Sequence, residues 1–424
     1  MSLYLCVDCG GSKTAVVIAH SSGAIPARAS GGPSNYAYIG LSTFLSTVRA
    51  SVSAALAVIA TDPKTVSLDP ALASLAARGI PPPPSSEASP LFASAWFGVS
   101  GVDSPAAIAT ITPPLTALLG VRPVVVNDTH LLAAPMRLYD DVDAAIACVS
   151  GTGGIVAGFR SNDADLRPDV DAGPDAGGAQ QEVLTEIGRV GGWGWILGDE
   201  GGGYHVGREA VRKVLEQADR APLDQNDEGL STANGDANKT GGKPTLRDRI
   251  LDWFGISDVY ELLTIVHMAD PEPSLDEDDA ALRGPSESSS AKSEPTTRPA
   301  YLRMKREKRL SSLAPLVFAS AFEDNDPLAL SVLRTAAQSL AEQISVFLAP
   351  PTGAATMKTK RVRADRSILC FGGSLAKVDR FRAMILAELE SGGGHVFRRV
   401  EIVEDAAEVG AKALVAAATG ATKA

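Results

Sequence analysis

The chain is short of the residues that build several familiar kinds of site. Its five histidines stand isolated along 424 residues, so no histidine cluster offers a metal centre. Four cysteines, Cys6, Cys9, Cys148 and Cys370, are too few for a disulfide scaffold. Cys6 and Cys9 have a zinc-like spacing, but no second pair follows and no thioredoxin-like context surrounds them. The thiols lie in or beside strand-like runs that feed glycine turns, so buried free cysteines and a reducing compartment are expected. Positive charge is also scarce. Thirty-nine Lys and Arg face 50 Asp and Glu, a net charge of −11, which gives no attraction to nucleic acid or to an anionic membrane. The basic runs Arg298–Arg309 and Lys358–Arg366 are read as solvated faces within that acidic whole. No apolar run is expected to reach the ~20 residues of a membrane span. The N-terminus enters a strand-like run at Leu3–Val7, so no signal peptide is expected. A soluble, cytoplasmic protein with no nucleic-acid and no membrane partner is the expectation. At 45% hydrophobic and 21% charged residues, the chain can bury two sizeable cores.

Glycine, by contrast, is abundant, and its placement carries information. Three glycine-rich turns each follow a hydrophobic run: Asp8-Cys9-Gly10-Gly11-Ser12-Lys13-Thr14, Ser150-Gly151-Thr152-Gly153-Gly154, and Phe371-Gly372-Gly373-Ser374-Leu375. Backbone without a β-carbon can approach a ligand and converge its amides on phosphate oxygens. Ser12, Thr14 and Thr152 add hydroxyl donors, and Lys13 a cation. Asp8, at a strand end, is a candidate ligand for Mg2+, a hard cation that takes oxygen donors. Walker spacing is absent, and no Gly-x-Gly-x-x-Gly opens a helix after a strand, which argues against a dinucleotide site. Any one turn could be a plain hairpin. The ordered set points to two lobes closing on one nucleotide.

Between these turns, strand and helix patterns alternate, which places the chain in the α/β class. Residues 61–90 are rich in Ala, Ser and Pro, with four prolines at Pro81–Pro84, and read as an insertion or surface loop. Val124–Val126 reads as a buried strand and Leu131–Met136 as a helix start, so Asn127-Asp128 lies at a strand's carboxyl end, where ligands collect in open α/β sheets. Helix capping by either residue is the alternative. Residues 160–181 suggest a hairpin tip, and about 222–244 and 270–299 look like mobile polar insertions. Helices are expected at Gly203–Ala218, Leu313–Phe322, Pro327–Phe347 and Ala406–Ala418.

The ordered loops and the long run Gly191-Gly192-Trp193-Gly194-Trp195-Ile196-Leu197-Gly198-Asp199-Glu200-Gly201 resemble the sugar-kinase branch of the actin-like ATPase superfamily. The nearest likeness is to N-acetylglucosamine kinases. The resemblance implies an α/β, two-lobed actin-like ATPase (ribonuclease H-like) fold with the nucleotide in the interlobe cleft. The lobes would span residues 1–134 and 135–400, with a segment at 401–424 whose helix returns to the first lobe. It implies an ATP- and Mg2+-dependent enzyme acting on a small-molecule sugar, with Asp128 as general base. Gly10, Gly11, Ser12, Lys13, Thr14, Gly151, Thr152, Gly153, Gly372, Gly373 and Ser374 would face the nucleotide, the last three as its adenosine loop. Asn35, within Gly31–Asn35, Asp128, Gly192, Trp193, Gly194 and Asp199 would face the sugar. Core packing is the alternative for Trp193 and Trp195, and a turn after Pro33 for Asn35. A homodimer is compatible with this reading.

One departure stands out. Where such kinases carry Ser-Asn after the second phosphate loop, this chain has Gly154 and Ile155, and Ile155 offers no side-chain hydrogen bond. A partner-driving ATPase of the same fold and a non-catalytic sugar sensor therefore remain competing readings.

Overall fold

The computed structural model describes residues 2–81, 90–160, 184–224, 243–271, 299–351 and 360–419. Strand β1 (Leu3–Cys9) is apolar at nearly every position because both its faces are covered. It forms a hairpin with β2 (Thr14–His20), in register from Leu3↔His20 to Cys9↔Thr14. Strand β3 (Ala27–Gly31) extends that side antiparallel. On the other side β4 (Phe92–Val99) lies parallel to β1 and β5 (Val124–Val126) parallel to β4. The order is β3-β2-β1-β4-β5.

The second half repeats this plan. Strand β6 (Ala144–Ser150) pairs with β7 (Gly154–Arg160), and β7 with β8 (Thr185–Gly191), antiparallel throughout. Strands β9 (Ser367–Gly372) and β10 (Arg399–Ile402) add parallel strands beyond β6, giving β10-β9-β6-β7-β8. Strand β10 runs across residue 400, and the helix Ala406–Thr419 follows it.

Three cores hold the sheets. One lies beneath the first sheet, against the Tyr36–Thr61 helix, which inserts Phe44, Val48, Val52, Ala55, Leu56 and Ile59. That helix breaks at Gly40 (φ 71°, ψ 171°) and is long and apolar enough to cross a membrane by length and composition. The expectation of no such run is therefore corrected. Its Ala, Ser and Thr keep it apolar on average, while its large side chains form one stripe packed into the core. A second core joins the far face of the second sheet to helices such as Pro327–Ser345. The third lies between the two sheets. There Ala407, Ala411, Leu414 and Val415 of the C-terminal helix Ala406–Thr419 share a cluster with Tyr4, Cys6 and Val17 of the first sheet and with Phe159 and Cys370 of the second.

Residues 61–90 are not simply a loop. Two helices, Pro63–Leu68 and Pro70–Ala76, stand there, each with Pro in its first turn and capped by Asp62 or Asp69. Proline favoured helix starts here, and Leu72, Ala73 and Ala76 are buried. Pro82–Pro84 lie outside the described residues, as do 161–183 within the expected hairpin tip and 225–242 and 272–298 within the expected insertions. The basic run ending at Arg309 is not wholly solvated either. Arg309 is fully buried and donates to the carbonyls of Tyr301, Ile265, Met268 and Ala269, closing the end of the Glu261–His267 helix.

Candidate active site

Sheet alternation decides what faces the space between the lobes. Tyr4 and Cys6 point into the core between the sheets, so Asp8, at the same parity, lies on that face at the loop end of β1. The register sets Asp8 opposite Gly98 of β4. A β-carbon at Gly98 would stand 3.1 Å from the Asp128 α-carbon and 2.6 Å from Leu131. Gly98 thus lets the short helix Thr129–Leu132 seat against β4 and brings Asp128 alongside Asp8.

The Asp128 segment is held from several sides. Asn127 accepts from the Thr129 amide (3.0 Å) and hydroxyl (2.8 Å), so Asn127 does the capping and leaves the Asp128 carboxylate for other work. Burial raises the Asp128 carboxyl above the ordinary range, while a hydrogen bond from Ser100 opposes that rise. Asp8 is pushed up to about 6 by burial first and by the Asp128 charge second, against the pull of Lys13. Two carboxylates that crowd each other in this way suit a cation between them. His130, two residues on, is pushed down to about 4 by burial and packs edge-on to Phe159 of the second sheet at 4.7 Å. The same short helix also reaches β9, where a β-carbon at Gly372 would lie 3.0 Å from Leu132. The carboxylate pair therefore sits where the two sheets meet.

The loops differ in how they are braced. In the first, the Gly10 amide donates to Lys13 O at 3.0 Å, and the Gly10 carbonyl accepts from Ser34 N at 2.9 Å. In the second, Gly151 N donates to Gly153 O at 3.0 Å. The amides of Gly11, Ser12, Thr152 and Gly153 donate to nothing among the described residues. The third loop stacks on the second. Leu375 N donates to Ser150 O at 3.0 Å, and Gly373, at φ 89°, would place a β-carbon 2.4 Å from that same oxygen. Unpartnered amides beside a crowded carboxylate pair fit a phosphate chain and a divalent cation. Thr14 does not join them. It is fully buried, and its hydroxyl is engaged 2.7 Å from both Gly32 O and Ser34 Oγ, which corrects its expected role as a phosphate donor.

The Gly198–Gly203 turn is locked to the second loop. Ser150 Oγ donates to Gly201 O (2.7 Å), Gly203 N to Gly151 O (2.8 Å) and Tyr204 N to Thr152 O (3.0 Å). Asp199 holds a left-handed backbone (φ 61°), and its carboxylate overlies Gly153 so closely that a β-carbon there would stand 2.5 Å from Oδ1. Burial raises Asp199, with the Gly154 amide opposing the rise. A non-glycine residue in this conformation costs about 1–3 kcal/mol and marks functional turns. Buried His205 accepts from Gly201 N at Nδ1 (2.8 Å) and faces Glu200 with Nε2 (3.1 Å), while Arg208 grips both Glu200 oxygens at 2.9 Å.

Trp193 is 67% exposed, so the core-packing alternative does not describe it. Trp195 does pack, edge-on against Tyr204 at 5.6 Å. Asn35 accepts from Ala37 N (3.0 Å) as the cap of the Tyr36–Thr61 helix and donates to Ser100 Oγ (3.2 Å). It therefore reaches Asp128 through Ser100. Sequence reasoning missed Ser100, Gly98, Asp103, Arg189 and His205. Arg189 of β8 bridges to Asp103 of the first lobe at 2.6 Å, and Asn127 donates to the same Asp103 oxygen at 3.0 Å. All four cysteines are free and buried; Cys6 faces the core between the sheets and Cys9 the opposite core, so the pair cannot share a ligand.

A sheet plan used twice, with a glycine turn after the first strand of each half and an acid-bearing segment between them, defines the two-lobed actin-like ATPase fold. No protein-family model matches the chain, and no curated protein does. Among solved structures, it is similar to the proposed N-acetylglucosamine kinase of Porphyromonas gingivalis (15% identity, 99% of this chain and 100% of that one, TM-score 0.53). A proposed N-acetylglucosamine kinase of Chromobacterium violaceum aligns at 18% identity over 98% and 99% of the chains, TM-score 0.49. A ROK-family glucokinase of Streptomyces griseus, solved with glucose and AMPPNP, aligns at 14% over 97% and 99%, TM-score 0.42. At these identities it is the fold that is shared, and the first of the three carries that statement.

Proposed function

We propose that this chain is an ATP-dependent amino-sugar kinase, transferring the γ-phosphoryl group to the 6-hydroxyl of N-acetylglucosamine or a close relative. The observation that carries the reading is Asp128, buried at the meeting of the two sheets with Asp8 beside it and unpartnered loop amides on both sides. Phosphoryl transfer asks a protein for positioning and charge stabilisation more than for covalent chemistry.

In this reading Asp128 accepts the proton from the attacking sugar hydroxyl, and its raised pKa makes it a better acceptor than an ordinary aspartate. Asp8 would hold Mg2+, directly or through water. Among the described residues no third His, Cys, Asp or Glu joins it to form a protein cage, so phosphate oxygens and water would complete the coordination. When bound, the cation would offset charge on the β- and γ-phosphates. Gly11, Ser12, Lys13, Thr152 and Gly153 would receive the phosphates, with Gly372, Gly373 and Ser374 toward the adenosine. Asp199, the Gly192–Gly194 backbone and Trp193 would orient the sugar, and Asn35 would act on it through Ser100. A cytoplasmic location and a homodimer belong to the same proposal. The names of the similar N-acetylglucosamine kinases support the choice of sugar.

The test is ADP release with MgATP across amino and neutral hexoses, with Asp128→Asn alongside. N-acetylglucosamine should stimulate turnover, and Asp128→Asn should bind ATP while kcat falls by roughly 100-fold or more. ADP formed at the same rate without any sugar would favour the partner-driving ATPase; sugar binding without turnover would favour the sensor.

A further inference from the structure

At Ile155 the wall of the proposed sugar pocket lacks a polar group for a hydroxyl-covered ligand, and an apolar side chain stands in its place. Along β7, Ile155, Ala157 and Phe159 share one face. Ala157 and Phe159 lie in the core between the sheets, whereas Ile155 is half-buried at the loop end and belongs to none of the three cores. It therefore faces the cleft. Its cross-strand neighbour on β6 is Val149, also half-buried and also outside the cores. Ile155 Cδ1 fills the space above Gly192, 2.6 Å from where a β-carbon would stand. The turn that leaves Gly192 then exposes Trp193 (67%), Ile196 (74%) and Leu197 (76%). An apolar strip thus begins at Val149 and Ile155 on the cleft floor and continues outward past Gly192, beside the carboxylate of Asp199.

Polar ring hydroxyls gain nothing from such a strip; an acyl chain does. Resting on the amino-sugar kinase reading, we propose that this strip is a subsite for the acyl substituent of the hexosamine, and that the chain prefers N-acyl groups longer than acetyl. Asp199 and Asp128 hold the polar ring, and Ile155 with the Gly192–Leu197 turn receives the chain. Each buried methylene should improve kcat/KM about fourfold, as methylene transfer from water predicts.

The experiment measures ADP release by the full chain with MgATP and glucosamine bearing acetyl, propanoyl or butanoyl groups, and calorimetric binding of the same three sugars. Wild type should rise in kcat/KM and in affinity from acetyl to butanoyl. Ile155→Asn should flatten or invert that order, and Ile155→Val should keep it with smaller steps. A wild type that binds acetyl best, or an order unchanged in Ile155→Asn, overturns the subsite while leaving the kinase intact. Affinity rising with chain length but no ADP with any sugar leaves the subsite standing and removes the kinase reading. Failure of all three sugars to bind overturns both. If Ile155→Asn does not fold, the Ile155→Val series decides alone: steps no smaller than wild type overturn the subsite.

Discussion

The two halves of the molecule build the same hairpin and arm it differently. Strands β1 and β6 are both seven residues long, as are β2 and β7, and the two hairpins repeat one burial pattern residue for residue. The registers align Asp8 with Val149, Ala15 with Ile155, and Gly98 with Gly372. Even the steric notches correspond, since Gly98 admits Leu131 and Gly372 admits Leu132 of the same short helix. Yet the strand-end carboxylate has no counterpart: where β1 carries Asp8 and β2 Ala15, the second half carries Val149 and Ile155. The repeated scaffold sets where the loops point; a few side chains at equivalent positions divide the chemistry. One strand end carries a carboxylate, and its equivalent carries an apolar side chain.

Moving the acid out of the first half should have the largest effect. Asp8→Asn should lower kcat/KM with MgATP by at least the roughly 10–100-fold that losing an outer-shell metal partner brings. The same variant should change the pH behaviour in a defined direction. The folded Asp8 carboxyl titrates at about 6, against a reference of 3.8. Between those values the folded state binds more protons than the unfolded, so the stability of the ligand-free protein falls as pH rises through that window. Mg2+ competes for the same carboxylate, so its apparent affinity should climb as pH rises through about 6. Asp8→Asn should remove both trends and raise the melting temperature near pH 7. Thermal melts and Mg2+ titrations from pH 4 to 8 check this, and a variant that kept the wild-type profiles would take Asp8 out of the site.

A smaller effect separates the loops themselves. Gly373 in the second half combines φ 89° with a β-carbon position 2.4 Å from Ser150 O, so Gly373→Ala must move the backbone of two loops at once. A loss of about 1–3 kcal/mol in stability is expected, with weakened ATP binding. Gly11 in the first loop has no atom within 4 Å of its β-carbon position and no positive φ. Gly11→Ala should therefore change stability by under about 0.5 kcal/mol. Denaturant melts of the two variants side by side make the comparison; equal losses would mean that the two loops are equally packed.

Much of this was legible in the sequence for physical reasons. Strands covered on both faces read as unbroken apolar runs, and glycine turns at their ends needed no partner to be seen, so the three turns and the strands that feed them could be placed. What escaped depends on atoms brought from far along the chain. Thr14 reads as a loop hydroxyl, but Ser34, twenty residues on, engages it. Nothing near Gly98 in sequence announces that Asp128 must pass close above it. Ser100 lies 65 residues from Asn35, and nothing in the sequence joins the two. The proline-rich segment 61–90 reads as a loop, but aspartate caps before Pro63 and Pro70 start helices there.

The smallest effect concerns the Arg189–Asp103 ion pair that spans the two halves. Arg189 is 44% exposed and Asp103 52%, and an ion pair this wet contributes only about 0–1 kcal/mol. Single substitutions, Arg189→Ala or Asp103→Ala, should therefore shift global stability little, and a double-mutant cycle should return a coupling of about 0.2–1 kcal/mol that fades with added salt. The pair's position matters more than its strength. The Asp103 oxygen that receives Arg189 also receives Asn127, and Asn127 caps the turn that presents Asp128. Loss of Arg189 leaves that cap in place but frees β8, and with it the Gly192 turn, from the first lobe. Sugar KM should then rise severalfold while kcat changes less. Removing Asp103 also unseats Asn127, so kcat should fall together with the rise in KM. Identical kinetic changes in the two variants would show that the pair acts only as a tether between the halves, with no hold on Asp128.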